Sequence, residues 1–524
     1  MDLNTLLRWL VTISCFSLIV RGIISPYHRG WIVTATGILS VMGIFFLFFP
    51  NQSGIIGGIL WLIFVFIPIV GLRQVNRLVY QERFQTAQRW ASVLSWLHPG
   101  DGWREQPRVL QALHLTQQGK TETAKRVLNQ DSPYPNYSFD QIAKAIEFRR
   151  EARWDDCLRW LQMEIPEPLL WENSTLVAVY LRCLGEKGHL NRLIGVVQSH
   201  QNQIQSLDDS MLVNLARLYV FAFSGEVREV KNLLASPLNV YPQNIKLFWL
   251  ATAQMAFGNQ QEGLQLIYKI NPKDIALENA IAQRVSHPLP LASQVLTPES
   301  LRIKEAIRTD LRHEINYGGA ISLTPSKAYT TYSIMMINIL VFIVELVQGG
   351  SQNLETLYYL GAAVPNAIFS GEPWRILTAN FLHYGYIHIG SNLLGLWILG
   401  PYVEFYLGFM RYLIIYFISG VGAISSFAGL AMVMERGDDV LVGASAAIMG
   451  LMGATFIILW RGWRKDKSEI AQERLKLVTL IIGLQVVFDF SVANVSFLGH
   501  FFGLIFGMIS ATVLLSLTGK KVRN

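Results

Sequence analysis

Residues 497–517 read FLGHFFGLIFGMISATVLLSL, a run without Asp, Glu, Lys or Arg and with one histidine, His500. About 20 mostly apolar residues in a helix cross a hydrocarbon core, so this stretch reads as a membrane span. Gly503 and Gly507 stand four apart, a face on which two helix backbones can approach closely. An imidazole is costly at that depth and is expected to face protein rather than lipid. Five similar runs precede it: Tyr332–Val347, Ile387–Leu407, Tyr412–Met432, Ala444–Trp460 and Leu475–Phe490. Three more open the chain, Leu6–Ile24, Trp31–Phe49 and Ile55–Leu72. The first has only Arg8 in its n-region and no small-residue cleavage site, so a retained helix is expected rather than a signal peptide. The fold class expected is all-α and polytopic, three helices and then six.

Composition points the same way. Of 524 residues, 15% are charged and 51% hydrophobic, with mean hydropathy +0.32, against roughly 25% charged in an average soluble chain. Disordered, collagenous and disulfide-stapled proteins are excluded, and an ordinary soluble enzyme is disfavoured. The net charge of +7 sits beside the spans rather than in one stripe, which argues against a nucleic-acid partner. Cys15, Cys157 and Cys183 lack metal-ligand spacing and read as free thiols; no metal or cofactor is expected.

Between the hydrophobic blocks, residues 73–327 hold 29 of the 44 Lys/Arg and 25 of the 37 Asp/Glu. Apolar residues there recur at helical spacing, as in Leu110, Leu113 and Leu115, then Ala124, Val127 and Leu128. Polar corners recur at Gly119, Arg153, Gly188, Gly225 and Gly258, in steps of 34, 35, 37 and 33. A period near 34 residues resembles that of the tetratricopeptide family, although no repeat carries its full consensus. An unspecialised helical bundle is the other reading. Pro288, Pro290, Pro298 and Pro325 mark a linker. The divisions expected are 1–72 (three helices), 73–285 (helical repeats), 286–328 (linker) and 329–524 (six-helix membrane domain).

Lys and Arg accumulate in cytoplasmic loops. Arg411, the Arg461, Arg464, Lys465 and Lys467 group, and the tail with Lys520, Lys521 and Arg523 fall on one side if the six-span unit starts and ends inside. The opposite loop Glu435–Asp439 is net acidic, and Ser491–Ser496 is uncharged. Arg21 and Arg29, then Arg73, Arg77, Arg83 and Arg89, put the N-terminus outside and the 73–327 region in the cytoplasm.

With that topology the second, fourth and sixth core spans all run inward. His388, Ser445 and His500 then lie within the first turns of their helices, at similar depth below the outer surface. Asn392, Glu404 and Asp489 are the other polar residues at depth, and His383 lies just outside. A hydroxyl and an imidazole at one level suggest nucleophile and general base. His388 and Asn392, spaced i and i+4, present two groups from one helix face. Alone, each sign has a plainer reading: a serine among small residues is usually packing, GxxxG usually a contact face, and a histidine often structural or part of a proton relay.

In order, Trp374-Arg375-Ile376-Leu377-Thr378, Phe381, His383, His388-Ile389-Gly390-Ser391-Asn392, Glu404, Gly443-Ala444-Ser445-Ala446 and His500-Phe501-Phe502-Gly503 with Gly507 make a combination that resembles the rhomboid family of intramembrane serine proteases. The resemblance covers about the last 200 residues. It implies Ser445 as nucleophile and His500 as base, a dyad with no carboxylate third member. It implies an oxyanion hole from His388, Asn392 and the Ser445 N–H. Trp374, Arg375 and Glu404 would brace the loop after the first core span, and His383 would be structural. The reaction implied is cleavage of a peptide bond in or beside a substrate's transmembrane helix, where small residues and helix-destabilised sequence expose the carbonyl. Ala446 departs from the family's usual glycine and adds a methyl beside the nucleophile.

The partners expected are transmembrane protein substrates, the lipid bilayer, and a protein on the cytoplasmic repeats, which as a solenoid suit binding. A bacterial cytoplasmic membrane is the expected location. The rival reading is a non-cleaving adaptor that binds transmembrane clients and docks partners through its repeats. A transporter using the histidines and Asp489 as a relay is disfavoured, because the halves show no inverted symmetry.

Overall fold

Peptide groups in hydrocarbon must find partners within their own segment, and this chain meets that demand with helices. The computed structural model describes residues 3–24, 29–81, 83–98, 100–129, 137–206, 210–272, 275–318, 328–491 and 496–517. Among them there is no β-strand, only an isolated antiparallel bridge between Ala363 and Leu441. The chain divides into two units, residues 2–308 and 309–524.

The first unit opens with α1 (Leu3–Ile24), α2 (Arg29–Phe48) and α3 (Ser53–Tyr80). The Asn4 side chain donates to the Pro50 carbonyl and accepts from the Gly54 and Ile55 N–H groups, so the start of α1 caps the turn into α3. A single π turn, Leu62–Phe66, precedes Pro68 in α3. It absorbs the missing proline N–H without ending the helix.

Five helical hairpins follow: Gln106–Gln117 with Thr121–Asn129, Tyr137–Arg150 with Trp154–Met163, Ser174–Glu186 with Leu190–Ser199, Ser210–Phe223 with Val227–Ala235, and Gln243–Phe257 with Gln260–Tyr268. Each turns at one left-handed residue: Gly119, Ala152, Gly188, Gly225 or Gly258. Each is closed by the same i→i−5 backbone bond of 2.9–3.0 Å: Lys120 to Leu115, Arg153 to Phe148, His189 to Leu184, Glu226 to Phe221 and Asn259 to Gln254. These are Schellman caps, which satisfy carbonyls that the ending helix leaves open. The corners read from the sequence are therefore real turns, with Ala152 in the position glycine takes elsewhere.

The end of the stretch read as repeats and the first part of the stretch read as a linker pack onto this unit. Asn279 donates to the Arg150 carbonyl, Arg284 pairs with Glu186 at 2.5 Å, and Asn191 exchanges bonds with Val295 and Thr297. Lys304 and Arg308, in the helix Pro298–Tyr317, pair with Glu226 and Glu229. Residues 279–308 thus strap the turns of the second, third and fourth hairpins. Pro298 begins a 20-residue helix, a place where proline is favoured, instead of breaking one. Pro325 lies outside the described residues.

The second unit holds α4 (Tyr329–Val347), α5 (Gly385–Leu407), α6 (Phe409–Val433), α7 (Ser445–Asp466), α8 (Glu469–Ser491) and α9 (Phe497–Leu517). Among the described residues, six helices, α2, α3, α4, α6, α7 and α9, are long and apolar enough to cross a membrane. The protein is an all-α, polytopic integral membrane protein. The other three expected spans are also helices but less apolar. In α1 the apolar stretch Asn4–Val20 is shorter. α5 carries His388, Asn392 and Glu404, and α8 carries Glu469, Glu473, Arg474, Lys476 and Asp489. The basic tail Lys520–Arg523 and residues 492–495 of the uncharged loop lie outside the described residues.

α7 is the enclosed centre of this unit, packed against α6 and α9. A β-carbon on Gly503 would lie 2.2 Å from the Ala446 carbonyl oxygen, and one on Gly507 2.1 Å from that of Gly450. The two backbones touch there, and any side chain would force them apart.

Candidate active site

Two segments converge where α7 begins. Gly443 has φ +123, a conformation that L side chains rarely adopt, and its N–H donates to the Ala379 carbonyl at 2.9 Å. That strained turn makes Ser445 the first residue of α7, half-buried, with Ala444 as its cap. The N–H groups of the first helical turn have no partner within the helix and are available as donors.

His388 and Asn392 of α5 face the same turn. A β-carbon on Gly443 would sit 2.6 Å from His388 Nε2 and 3.5 Å from Asn392 Nδ2. Buried Asn392 Nδ2 has no hydrogen-bond partner among the described residues. His388 Nδ1 accepts from the Tyr384 N–H at 3.2 Å. In a neutral imidazole the proton then resides on Nε2, the nitrogen nearest Gly443. Two N–H donors are thus aimed at the residue two before Ser445.

His500 stands one turn before Gly503, and Gly503 faces Ala446 beside Ser445. No Ser445–His500 hydrogen bond is formed among the described residues, as is common before substrate binds. The other nitrogen, His500 Nδ1, is engaged: it lies 3.0 and 2.9 Å from the two carboxyl oxygens of Asp489. Gln485 Nε2 donates to Asp489 Oδ1 at 2.7 Å. The dyad implied by the resemblance had no carboxylate neighbour, and here His500 has one. The sequence held a signal for it. Asp489 lies near the end of α8 and His500 near the start of α9, so two polar residues at depth stand on facing ends of successive helices.

The supporting residues separate into two groups. Buried Arg375 donates to the Tyr358 carbonyl at 2.6 Å and the Ala362 carbonyl at 3.1 Å, pairs with Glu372, and lies between the Tyr358 and Trp374 rings. Trp374 packs on Gly361. Both contact the 348–384 segment after α4. His383 is buried, donates its backbone N–H to Glu345 at 2.9 Å, and meets His388 edge-on at 5.2 Å. Glu404 is different: its carboxylate accepts from the Thr330 and Thr331 N–H groups and the Thr331 hydroxyl at 2.8–2.9 Å. It therefore holds the beginning of α4 rather than the loop after it. α5 runs antiparallel to α4, which brings its C-terminal half to the N-terminus of α4.

The Rhomboid domain model matches residues 370–517, which takes in this whole arrangement from Trp374 to Gly507. Residues of the chain are 35% identical over 189 positions to Rhomboid protease GluP of Bacillus subtilis (strain 168), covering 36% of this chain and 35% of that protein. RHOMBOID-like protein 5 of Arabidopsis thaliana is 32% identical over 163 residues, 31% of this chain and 51% of that one. Putative rhomboid protease YdcA of Bacillus subtilis (strain 168) is 35% identical over 156 residues, 29% of this chain and 70% of YdcA. The chain belongs to the rhomboid family. The shared part of this rhomboid is the membrane unit; the matches span about a third of GluP and half of the Arabidopsis relative.

Proposed function

We propose that this rhomboid is an intramembrane serine endopeptidase that cleaves substrate proteins in or near their transmembrane helices. The observation that carries the reading is the convergence of His388 Nε2 and Asn392 Nδ2 on the strained turn that presents Ser445. Ser445 Oγ attacks the scissile carbonyl carbon as His500 Nε2 takes its proton. The oxygen of that carbonyl becomes an oxyanion, met by the His388 and Asn392 side-chain donors and the Ser445 N–H. His500 then gives the proton to the departing amine, and water hydrolyses the acyl-enzyme by the same route in reverse. Ala446 is compatible with this scheme, since its small side chain is buried where α7 and α9 meet.

In the membrane, the loop charges support an extracytoplasmic N-terminus and active-site level, with the hairpin region and C-terminus in the cytoplasm, in a bacterial cytoplasmic membrane. The recurrence of one cap at near-34-residue intervals supports a tetratricopeptide-like repeat region, 73–285, that recruits a partner or a substrate's cytoplasmic tail.

The test is purified protein in liposomes with a labelled model transmembrane substrate, beside Ser445→Ala and His500→Ala. Cleavage that both substitutions abolish is the expected result. No cleavage across a substrate panel, together with no fluorophosphonate labelling of Ser445, would turn the reading to a non-cleaving adaptor. Recruitment is tested separately: deletion of residues 90–285 is expected to slow cleavage of some substrates, and identical cleavage of every substrate would remove that role.

A further inference from the structure

We propose that Asp489 is a positioning residue for His500, so that this chain works with a carboxylate-oriented base rather than a bare dyad; the inference rests on the protease reading above. Both carboxyl oxygens of Asp489 lie within 3.0 Å of His500 Nδ1. The pair is sheltered, with side-chain exposures of 2% for Asp489 and 12% for His500. Gln485, one turn earlier on α8, fixes the carboxylate by donating to Oδ1.

An imidazole has two neutral tautomers, and only the one with a bare Nε2 can accept the serine proton. A carboxylate at Nδ1 accepts a hydrogen bond, so it selects Nδ1–H and leaves the Nε2 lone pair free. When Ser445 attacks, the Oγ–H bond breaks, Nε2–H forms and Oγ–C forms. The imidazolium then carries a positive charge that the Asp489 carboxylate offsets without taking the proton. On collapse, the Nε2 proton passes to the amine nitrogen as the C–N bond breaks. The ring also loses the freedom to rotate away from Ser445, which matters because no Ser445–His500 bond holds it in the resting structure.

The experiment uses the full-length protein in liposomes with the labelled transmembrane substrate, measuring kcat and KM, plus the rate of Ser445 labelling by a fluorophosphonate. Asp489→Asn is expected to lower kcat about 100-fold or more, with KM changed less than about twofold and labelling slowed in parallel. Asp489→Glu is expected to recover part of the loss, and Gln485→Ala to lower kcat by roughly 3–10-fold, as one hydrogen bond's worth of orientation. A purely structural role would instead lower the melting temperature and the folded fraction while leaving kcat per folded molecule unchanged. Wild-type kcat in folded Asp489→Asn overturns the inference. If Asp489→Asn does not fold, Asp489→Glu and Gln485→Ala decide: lowered kcat at constant KM in both supports it, and wild-type kcat in both overturns it. The two readings fail differently. If Ser445→Ala cleaves like wild type, the protease reading falls; if Ser445→Ala and His500→Ala are dead but Asp489→Asn is fully active, only the positioning role falls.

Discussion

The hairpin region and the membrane unit solve the same polar problem in opposite ways. In the hairpins, charge is abundant and is neutralised where it is buried. Glu186 accepts from Arg182 and Arg284, whose guanidinium groups lie over Trp154, Trp249, Phe223 and Phe248. Burial lowers the Arg284 pKa, and Glu186 opposes that shift only in part. In the membrane unit, the carboxylates buried at depth hold a few specific contacts, as Glu404 does at the start of α4 and Asp489 does with His500 and Gln485. The rest of the cohesion comes from a buried apolar core, with Tyr412, Tyr416, Leu451 and Ile458 among its members, and from backbones in contact at glycine. One region spreads its information over many equivalent positions, and the other concentrates it in a few that have no substitute.

That contrast can be broken from either side. The largest expected effect is Glu186→Gln, which leaves Arg284 buried without a counter-charge; removing one partner of a buried pair costs about 3–5 kcal/mol. Thermal unfolding should show the loss, and an unchanged midpoint would mean that the aromatic rings suffice for the two arginines. Next, Asn392→Ala should lower kcat by about 10²–10³, or roughly 2.7–4 kcal/mol of barrier, without moving the melting temperature much. A loss of stability with no fall in kcat would assign Asn392 to packing. Gly503→Val drives a side chain into the Ala446 carbonyl. Overpacking of this kind costs about 1–3 kcal/mol or more, and cleavage should fail with it because the backbone beside Ser445 must move. Glu404→Gln removes the charge from three hydrogen bonds at the start of α4 and should cost about 1–3 kcal/mol, read as a lower melting temperature in detergent with kcat retained.

The smallest change tests the repetitive side. Ala152 occupies the left-handed position with φ 54 that glycine fills in the other four hairpins. Ala152→Gly should stabilise by about 1 kcal/mol, since a non-glycine residue there costs roughly 1–2 kcal/mol and glycine's extra freedom when unfolded takes some back. A destabilised variant would show that the methyl, which is 9% exposed, contributes more by packing than it loses by strain.

What the sequence made legible follows the same divide. The ordered motifs drew attention to three glycines whose positions demand that residue type: Gly443 for its backbone angle, Gly503 and Gly507 for backbone contact. The hairpin corners were visible as polar breaks at regular intervals. Partnership across helices was less visible. Asp489 stood out as a costly residue, but its contact with His500 depends on how α8 and α9 lie against each other, which residue spacing does not give. Glu404 was assigned to the wrong end of α4, since motif order says nothing of antiparallel register. The prolines of 286–298 signalled a break in helix, and whether the chain after a break hangs free or packs down depends on tertiary contacts that no local pattern records.

The strap over the hairpins has a consequence for cooperativity. A linear stack in which each hairpin touches only its neighbours would open from its ends, one hairpin at a time. Residues 279–308 cross-link the second, third and fourth hairpins through Arg150, Glu186, Asn191, Glu226 and Glu229. Amide exchange in those three should then occur in a single concerted opening, while the first and fifth hairpins exchange on their own, faster schedules.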